Sequence, residues 1–331
     1  MHVSVIGAGS WGTTVATLAS RNCPTTLWAR RDEVAREITD HATNERYLPG
    51  FALPKELKAT ADLEAAVRSA DVLVLGVPSH GFRETVSLLA PFVRPWIPIV
   101  SLTKGLEQGS LLRMTEIIEE LLPGHPAGML TGPNLAKEIM AGQAAASVIG
   151  MEDLVVAAEL QNVFAGGLYR VYTNHDVAGC EIGGALKNVI AIATGIAQAI
   201  SVGDNTRAMV ITRGLSELAR LGEKVGGEPA TFAGLAGMGD LLATCMSPHS
   251  RNRQVGEQLG QGRKIDEIIA DMNMVAEGVK TTAAVIELAK RHDVEMPISE
   301  EMYAVLYEGR EAAEAYRGLQ DRKAGHERDS G

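Results

Sequence analysis

Four places in this sequence hold polar groups whose types and settings could do chemistry. Lys187, followed by Asn188, interrupts a long run of small and apolar residues with helical spacing from Asp176 to Ser201. A lysine inside such a helix needs a partner or a lowered pKa, and a rigid helix can hold it ready for proton transfer. The plain alternative is a lysine on the wet face of that helix. Asp240 follows three glycines in Gly234-Leu235-Ala236-Gly237-Met238-Gly239 and precedes an apolar run. It either caps the following helix or sits beside a lysine and orients it. Lys104 closes the apolar stretch Ile97 to Leu102 in Thr103-Lys104-Gly105. A lysine at the C-terminal end of a sheet strand faces the place where ligands bind. A fourth cluster, Ser250-Arg251-Asn252-Arg253, reads as a capped helix start carrying Arg and Asn, either a ready phosphate site or a routine cap with solvated arginines.

These groups need a scaffold, and the N-terminus supplies its signature. Val3 to Ile6 is a β-branched run that meets Gly7-Ala8-Gly9-Ser10-Trp11-Gly12, and Thr13 to Ser20 reads as a helix. Gly7 permits the sharp turn, Gly9 lets a pyrophosphate approach the backbone, and Gly12 lets helix and strand pack closely. A second strand, Thr25 to Trp28, runs into Arg30 and Arg31 where such folds often carry an acidic residue for the ribose. Arginine there suits a 2′-phosphate, so NADP is expected to be accepted without excluding NAD; the plain alternative is two solvated arginines at a helix start. Further strands are predicted at 71–78, 97–102, 129–131, 146–149 and 169–173, with helices at 32–41, 63–70 and 152–165. Beyond Thr173 strand signals stop and helices follow at 205–225, 252–260, 265–272, 281–290 and 299–307.

The expected fold is therefore α/β: a Rossmann-type dinucleotide-binding domain over residues 1–177, then an all-α domain over 178–320. A polar tail, 321–331, is expected to be disordered. The 331 residues are 46% hydrophobic and 22% charged, enough for a large core, and the net charge is −10. No basic block marks a nucleic-acid binder. The longest apolar stretch, around 188–202, reads as too short and too interrupted to span a membrane. The chain enters a strand almost at once, leaving no room for a signal peptide before Gly7. Cys23, Cys180 and Cys245 form no CxxC pair, which suits a reducing cytoplasm, and no metal is expected.

Taken together these segments resemble the NAD(P)-dependent glycerol-3-phosphate dehydrogenase family in its bacterial form. The likeness runs through the glycine turn, Leu102-Thr103-Lys104-Gly105-Leu106-Glu107, Ala185 to Ala191, Gly234 to Thr244, Ser250 to Arg253 and Val275-Ala276-Glu277-Gly278. It covers nearly the whole chain, to about Tyr307. The resemblance implies reduction of dihydroxyacetone phosphate to sn-glycerol 3-phosphate, which feeds phospholipid synthesis. It implies Lys187 as the proton-transfer residue, with Lys104 and Asp240 in the same site. Gly132, Asn134, Ser250, Arg251 and Asn252 fall on substrate-binding positions. Ser10, Trp11, Arg30, Arg31, Lys104, Ala136, Arg251, Val275 and Glu277 fall on cofactor-binding positions. The resemblance implies a homodimer, and the cysteine usage a cytoplasmic location. Physically, Lys104 beside Lys187 would lower the pKa of one lysine by repulsion, and Asp240 would hold Lys187 in place. One departure is clear: the family's Gly-Pro-Ser/Thr-Phe is Gly132-Pro133-Asn134-Leu135 here.

Overall fold

The computed structural model describes residues 1–272 and 276–320. They form two units. One comprises Met1–Thr103 and Met114–Val177, the other Lys104–Arg113 and the chain from Ala178 onward.

The first unit is built on eight strands: β1 (Val3–Ile6), β2 (Thr25–Trp28), β3 (Lys58–Thr60), β4 (Val72–Leu75), β5 (Ile99–Ser101), β6 (Ala127–Thr131), β7 (Ala145–Met151) and β8 (Tyr169–Asn174). Its helices are α1 (Ser10–Ser20), α2 (Asp32–His41), α3 (Leu63–Arg68), α4 (Phe82–Leu89), α5 (Met114–Leu121), α6 (Ala136–Met140) and α7 (Leu154–Phe164). The sheet order is β3-β2-β1-β4-β5-β6-β7-β8. The first six strands are parallel and follow the order of a doubly wound dinucleotide-binding sheet. β7 then runs antiparallel to β6, and β8 parallel to β7. β1 and β4 are buried at every residue, as central parallel strands covered on both faces must be. Chain direction reverses across the sheet between β1 and β4, so ligands are expected beyond their C-terminal ends.

The second unit is helical: α8 (Val177–Ala199), α9 (Asp204–Lys224), α10 (Pro229–Ala233), a π-helical turn (Leu235–Gly239), α11 (Asp240–Met246), α12 (Arg251–Gly260), α13 (Ile265–Asp271), α14 (Glu277–Arg291), α15 (Pro297–Tyr307) and α16 (Ala312–Gln320). At its centre lies α8, whose Ile182, Leu186, Val189, Ile190 and Ile196 are at most 1% exposed. Each such side chain contributes about 1.5–3 kcal/mol relative to exposure. With 23 residues, α8 is long and apolar enough to cross a membrane, contrary to the shorter span read from sequence. Its apolar span is instead buried, as the core helix around which the others pack.

The boundary expected at 177 assigns residues 104–113 to the sheet, but they belong to the helices. Leu106 and Leu111 are buried in the helical core, and Arg113 pairs at 2.8 Å with Glu181 of α8. The strand ends at Ser101, and the chain then makes a short excursion closed by the Leu106–Arg113 bridge before returning to α5. The expected disordered tail, 321–331, lies outside the described residues.

One buried carboxylate ties two of the helices. Glu217 of α9, 2% exposed, accepts hydrogen bonds from the backbone N–H groups of Ile298 and Ser299 and from the Ser299 hydroxyl at the start of α15. Burial pushes its carboxyl from 4.5 to about 7, against the pull of those donors. The folded chain thus holds this proton more tightly than the unfolded one, so stability falls as pH rises from 4.5 through 7, by about 3 kcal/mol. Glu217→Gln, which has no proton to lose, should gain that amount on wild type between pH 4.5 and pH 8. Denaturant unfolding of both proteins at the two pH values checks this, and parallel responses would refute it.

Candidate active site

Within the second unit, α8 and α11 bring a lysine and an aspartate face to face. Gly183 of α8 makes the approach possible: a Cβ there would lie 2.7 Å from the Ala236 carbonyl of the π-helical turn. That turn leads directly into Asp240, the first residue of α11. The helix takes no side-chain cap, so Asp240 does not cap it. Its carboxylate, 2% exposed, instead bridges two cations. One oxygen accepts from Lys187 Nζ, and the other accepts from Lys104 Nζ at 2.7 Å. Lys187 Nζ also donates to Thr244 Oγ1 at 2.8 Å. Thr244 uses its own proton on the Asp240 carbonyl, one turn back, and so presents only lone pairs to the lysine.

The cluster carries two ammonium groups and one carboxylate. Its surplus positive charge suits an anionic substrate and an oxygen gaining negative charge. Lys187 is held down from 10.5 to about 8. Burial is the main cause; Asp240 opposes it and Lys104 adds to it. The repulsion expected from Lys104 is present but secondary to desolvation. An amine near pH 8 can both give and take a proton under ordinary conditions.

Around this cluster runs a chain of amides. Asn188 Nδ2 donates to the Lys104 carbonyl at 3.4 Å, Asn252 Nδ2 donates to Asn188 Oδ1 at 2.9 Å, and Asn252 Oδ1 accepts from Gly278 N–H at 3.0 Å. These contacts lock α8, α12 and the start of α14 to the lysine-bearing segment. Ser250 caps α12 by accepting from Arg253 N–H at 3.3 Å. Arg251 stands exposed on the first turn of α12 and interacts electrostatically with Glu277 at the first turn of α14.

In the first unit the glycine turn joins β1 to α1. Gly7 takes φ +120°, and a Cβ at Gly12 would lie 2.0 Å from the Gly7 carbonyl. Gly9 has no atom within 4 Å of where its Cβ would be, and α1 lacks a side-chain cap. Open space thus meets the backbone N–H groups and positive dipole end of a helix, which fits the pyrophosphate of a dinucleotide. Asn44, fully buried, braces the turn by donating to the Ala8 carbonyl at 3.0 Å and to Thr13 Oγ1 at 2.9 Å. Past the end of β2, Arg30 is exposed, and Arg31 pairs loosely with Glu33 at 3.7 Å. Gly132 follows β6 with φ +124°, ahead of Asn134 and of Ala136 at the start of α6.

The comparisons with known proteins identify the family. The family described as the N-terminal domain of NAD-dependent glycerol-3-phosphate dehydrogenase matches residues 2–157, and its C-terminal domain matches residues 176–317. The chain belongs to this family. A glycerol-3-phosphate dehydrogenase (NAD(P)+) of Sphingopyxis alaskensis is 56% identical over 99% of this chain and 98% of its own. One of Mycobacterium avium is 52% identical over 98% of this chain and 96% of its own. A crystal structure of glycerol-3-phosphate dehydrogenase from Coxiella burnetii superposes with a TM-score of 0.93 at 36% identity, covering 97% of this chain and 99% of that one. This dehydrogenase is accordingly an NAD(P)-dependent oxidoreductase acting on a small phosphorylated molecule.

In this family member, Lys104, Lys187 and Asp240 converge on one another. Asn252 and Arg251 gather with Glu277 and Gly278 where α12 meets α14. Gly7, Gly9, Ser10, Trp11 and Gly12 form the first-unit turn, with Arg30 and Arg31 past β2. Gly132, Asn134 and Ala136 lie beyond β6. Val275 lies outside the described residues. Sequence reasoning passed over Thr244, Asn44 and the Arg113–Glu181 pair. Asn44 carried the faint signal of an amide just after a helix; the other two carried none until folded.

Proposed function

We propose that this dehydrogenase works chiefly as a reductase, converting dihydroxyacetone phosphate to sn-glycerol 3-phosphate for phospholipid synthesis. The observation that carries the reading is the buried Lys187, bridged through Asp240 to Lys104 and poised near pH 8. A bound nicotinamide cofactor supplies the hydride for the substrate's carbonyl carbon. Lys187 gives its proton to the carbonyl oxygen and regains one from water; in the oxidative direction it takes the proton back. Lys104, anchored by Asp240, steadies the negative charge gathering on that oxygen. Arg251 and the capped N-terminus of α12 hold the phosphate, with Ser250 and Asn252 setting the helix start. Glycine-turn N–H groups bind the pyrophosphate, and Arg30 and Arg31 meet a 2′-phosphate, so that NADP is used as well as NAD. The working form on this reading is a cytoplasmic homodimer; three free cysteines suit that reducing compartment.

The test is spectrophotometric: NADPH consumption by purified protein with dihydroxyacetone phosphate, repeated with NADH. Rapid consumption is expected. A folded protein that consumes neither would overturn the reading. Arg30→Ala should raise KM for NADPH about tenfold, as for a lost charged hydrogen bond at an exposed site, and leave NADH unaffected. Equal losses for both cofactors would remove Arg30 from the 2′-phosphate.

A further inference from the structure

Lys104 reaches Asp240 from a loop, whereas Lys187 and Thr244 stand on helices. That loop, residues 104–113, folds with the helical unit. Whatever holds it against α8 therefore decides where the Lys104 ammonium stands. Leu106 and Leu111 are buried in the helical core, but apolar burial has no direction and tolerates small slips. Two polar contacts do have direction. At one end of the loop, Asn188 Nδ2 donates to the Lys104 carbonyl at a long 3.4 Å. At the other, Arg113 Nη1 donates to Glu181 Oε2 at 2.8 Å.

Glu181 and Asn188 lie two turns apart on α8, so they share a face of one rigid helix about 10 Å apart along its axis. Lys187 is the neighbour of Asn188 on that helix. The loop is thus pinned at both ends to the element that carries Lys187. Between the pins, Leu106 pairs with Arg113 as a β-bridge, and Glu107 N–H donates to the Leu112 carbonyl at 3.0 Å. A shift at Arg113 is passed by this pairing to Leu106, two residues from Lys104. The Arg113–Glu181 pair is nearly out of water, with side chains 19% and 3% exposed. Desolvation offsets much of the attraction in such a pair, so its net stability is small, but its geometry is specific.

We infer that Arg113 and Glu181 are positioning residues: their pair sets the register of the 104–113 loop on α8 and so delivers Lys104 Nζ to Asp240, across the carboxylate from Lys187. This rests on the role given to Lys104 in the function proposed above.

The test exchanges the pair for apolar residues of similar size, Arg113→Met with Glu181→Leu, in the full chain. Such an exchange commonly leaves stability close to wild type. With dihydroxyacetone phosphate and NADPH, kcat should fall about tenfold, as for a misplaced group in a site, with KM for NADPH unchanged. The falling limb of the reduction profile should move to higher pH, because Lys104 in its place holds the Lys187 pKa down. Lys104→Met alone should give both effects at least as strongly, and adding the exchange to it should change neither further. If the exchanged protein folds poorly, Glu181→Gln, which keeps the shape and removes the charge, should show the same loss and the same displacement. A folded variant with wild-type kcat or an unmoved limb overturns the positioning role, as does a loss that adds to that of Lys104→Met. If Lys104→Met itself leaves kcat and the limb unchanged, the catalytic role of Lys104 is what fails, and the positioning role fails with it.

Discussion

Replacing Lys187 by alanine should lower kcat for dihydroxyacetone phosphate reduction by about 10²–10⁴-fold, the scale of a lost general acid, while NADPH affinity stays within about twofold. The lysine is buried with its amine on Asp240 and Thr244, and the glycine turn that fits the cofactor belongs to the other unit. Asp240 and Lys104 remain in the variant, so the charge on the cluster changes by one and no carboxylate is left bare. The pH dependence gives an independent reading. Wild-type reduction should weaken as pH rises through about 8, where Lys187 loses the proton it donates, and glycerol 3-phosphate oxidation should strengthen over the same range. The alanine variant should show neither limb. Initial rates in both directions from pH 6 to 10, with NADPH binding followed by fluorescence, would decide it. Turnover that survives the substitution would move the proton to another group.

Asp240→Asn attacks the same cluster from its anionic side. Asn has one oxygen to offer two ammonium groups, and both lysines are nearly out of water, with side chains 13% and 8% exposed. Losing the counter-charge of a buried pair typically costs about 3–5 kcal/mol. Part of that is relieved if Lys187 sheds its proton, so its pKa should move further down, because Asp240 is the main influence holding it up. The expected result is a clear loss of stability in denaturant, with the falling limb of the reduction profile displaced to lower pH. A profile left in place would mean that Asp240 does not hold the proton on Lys187.

Much of this architecture can be read from local pattern, and the rest depends on pairing at a distance. β1 and β4 are unbroken apolar runs, and the glycine turn announces itself because each of its glycines answers a separate steric demand. β3 leaves no such mark, because Lys58-Ala59-Thr60 is an edge strand of only three residues, held by backbone pairing to β2 and lacking an apolar pattern. Lys187 was legible because a charge inside an apolar helix is conspicuous. Asp240 was ambiguous, since a carboxylate at the head of a helix reads equally well as a cap. What settled it was Lys187, 53 residues away in sequence. Arg113 finds Glu181 across 68 residues, and Asn44 finds the glycine turn across 36. Such partners share no local periodicity, so only the folded chain reveals them.

Lys104 sits on a strand-to-helix connection that folds with the helical half, although the sheet half precedes and follows it. The chain therefore passes between the units three times, at 103/104, 113/114 and 177/178. A recombination event that exchanged the first half for an unrelated dinucleotide-binding domain through a single crossover near 177 would strip the helical half of one of the two lysines paired with Asp240 and of Leu106 and Leu111 from its core. The two halves are consequently not interchangeable modules joined by a hinge point. They are tied together by a segment that lies within one half of the sequence and folds with the other.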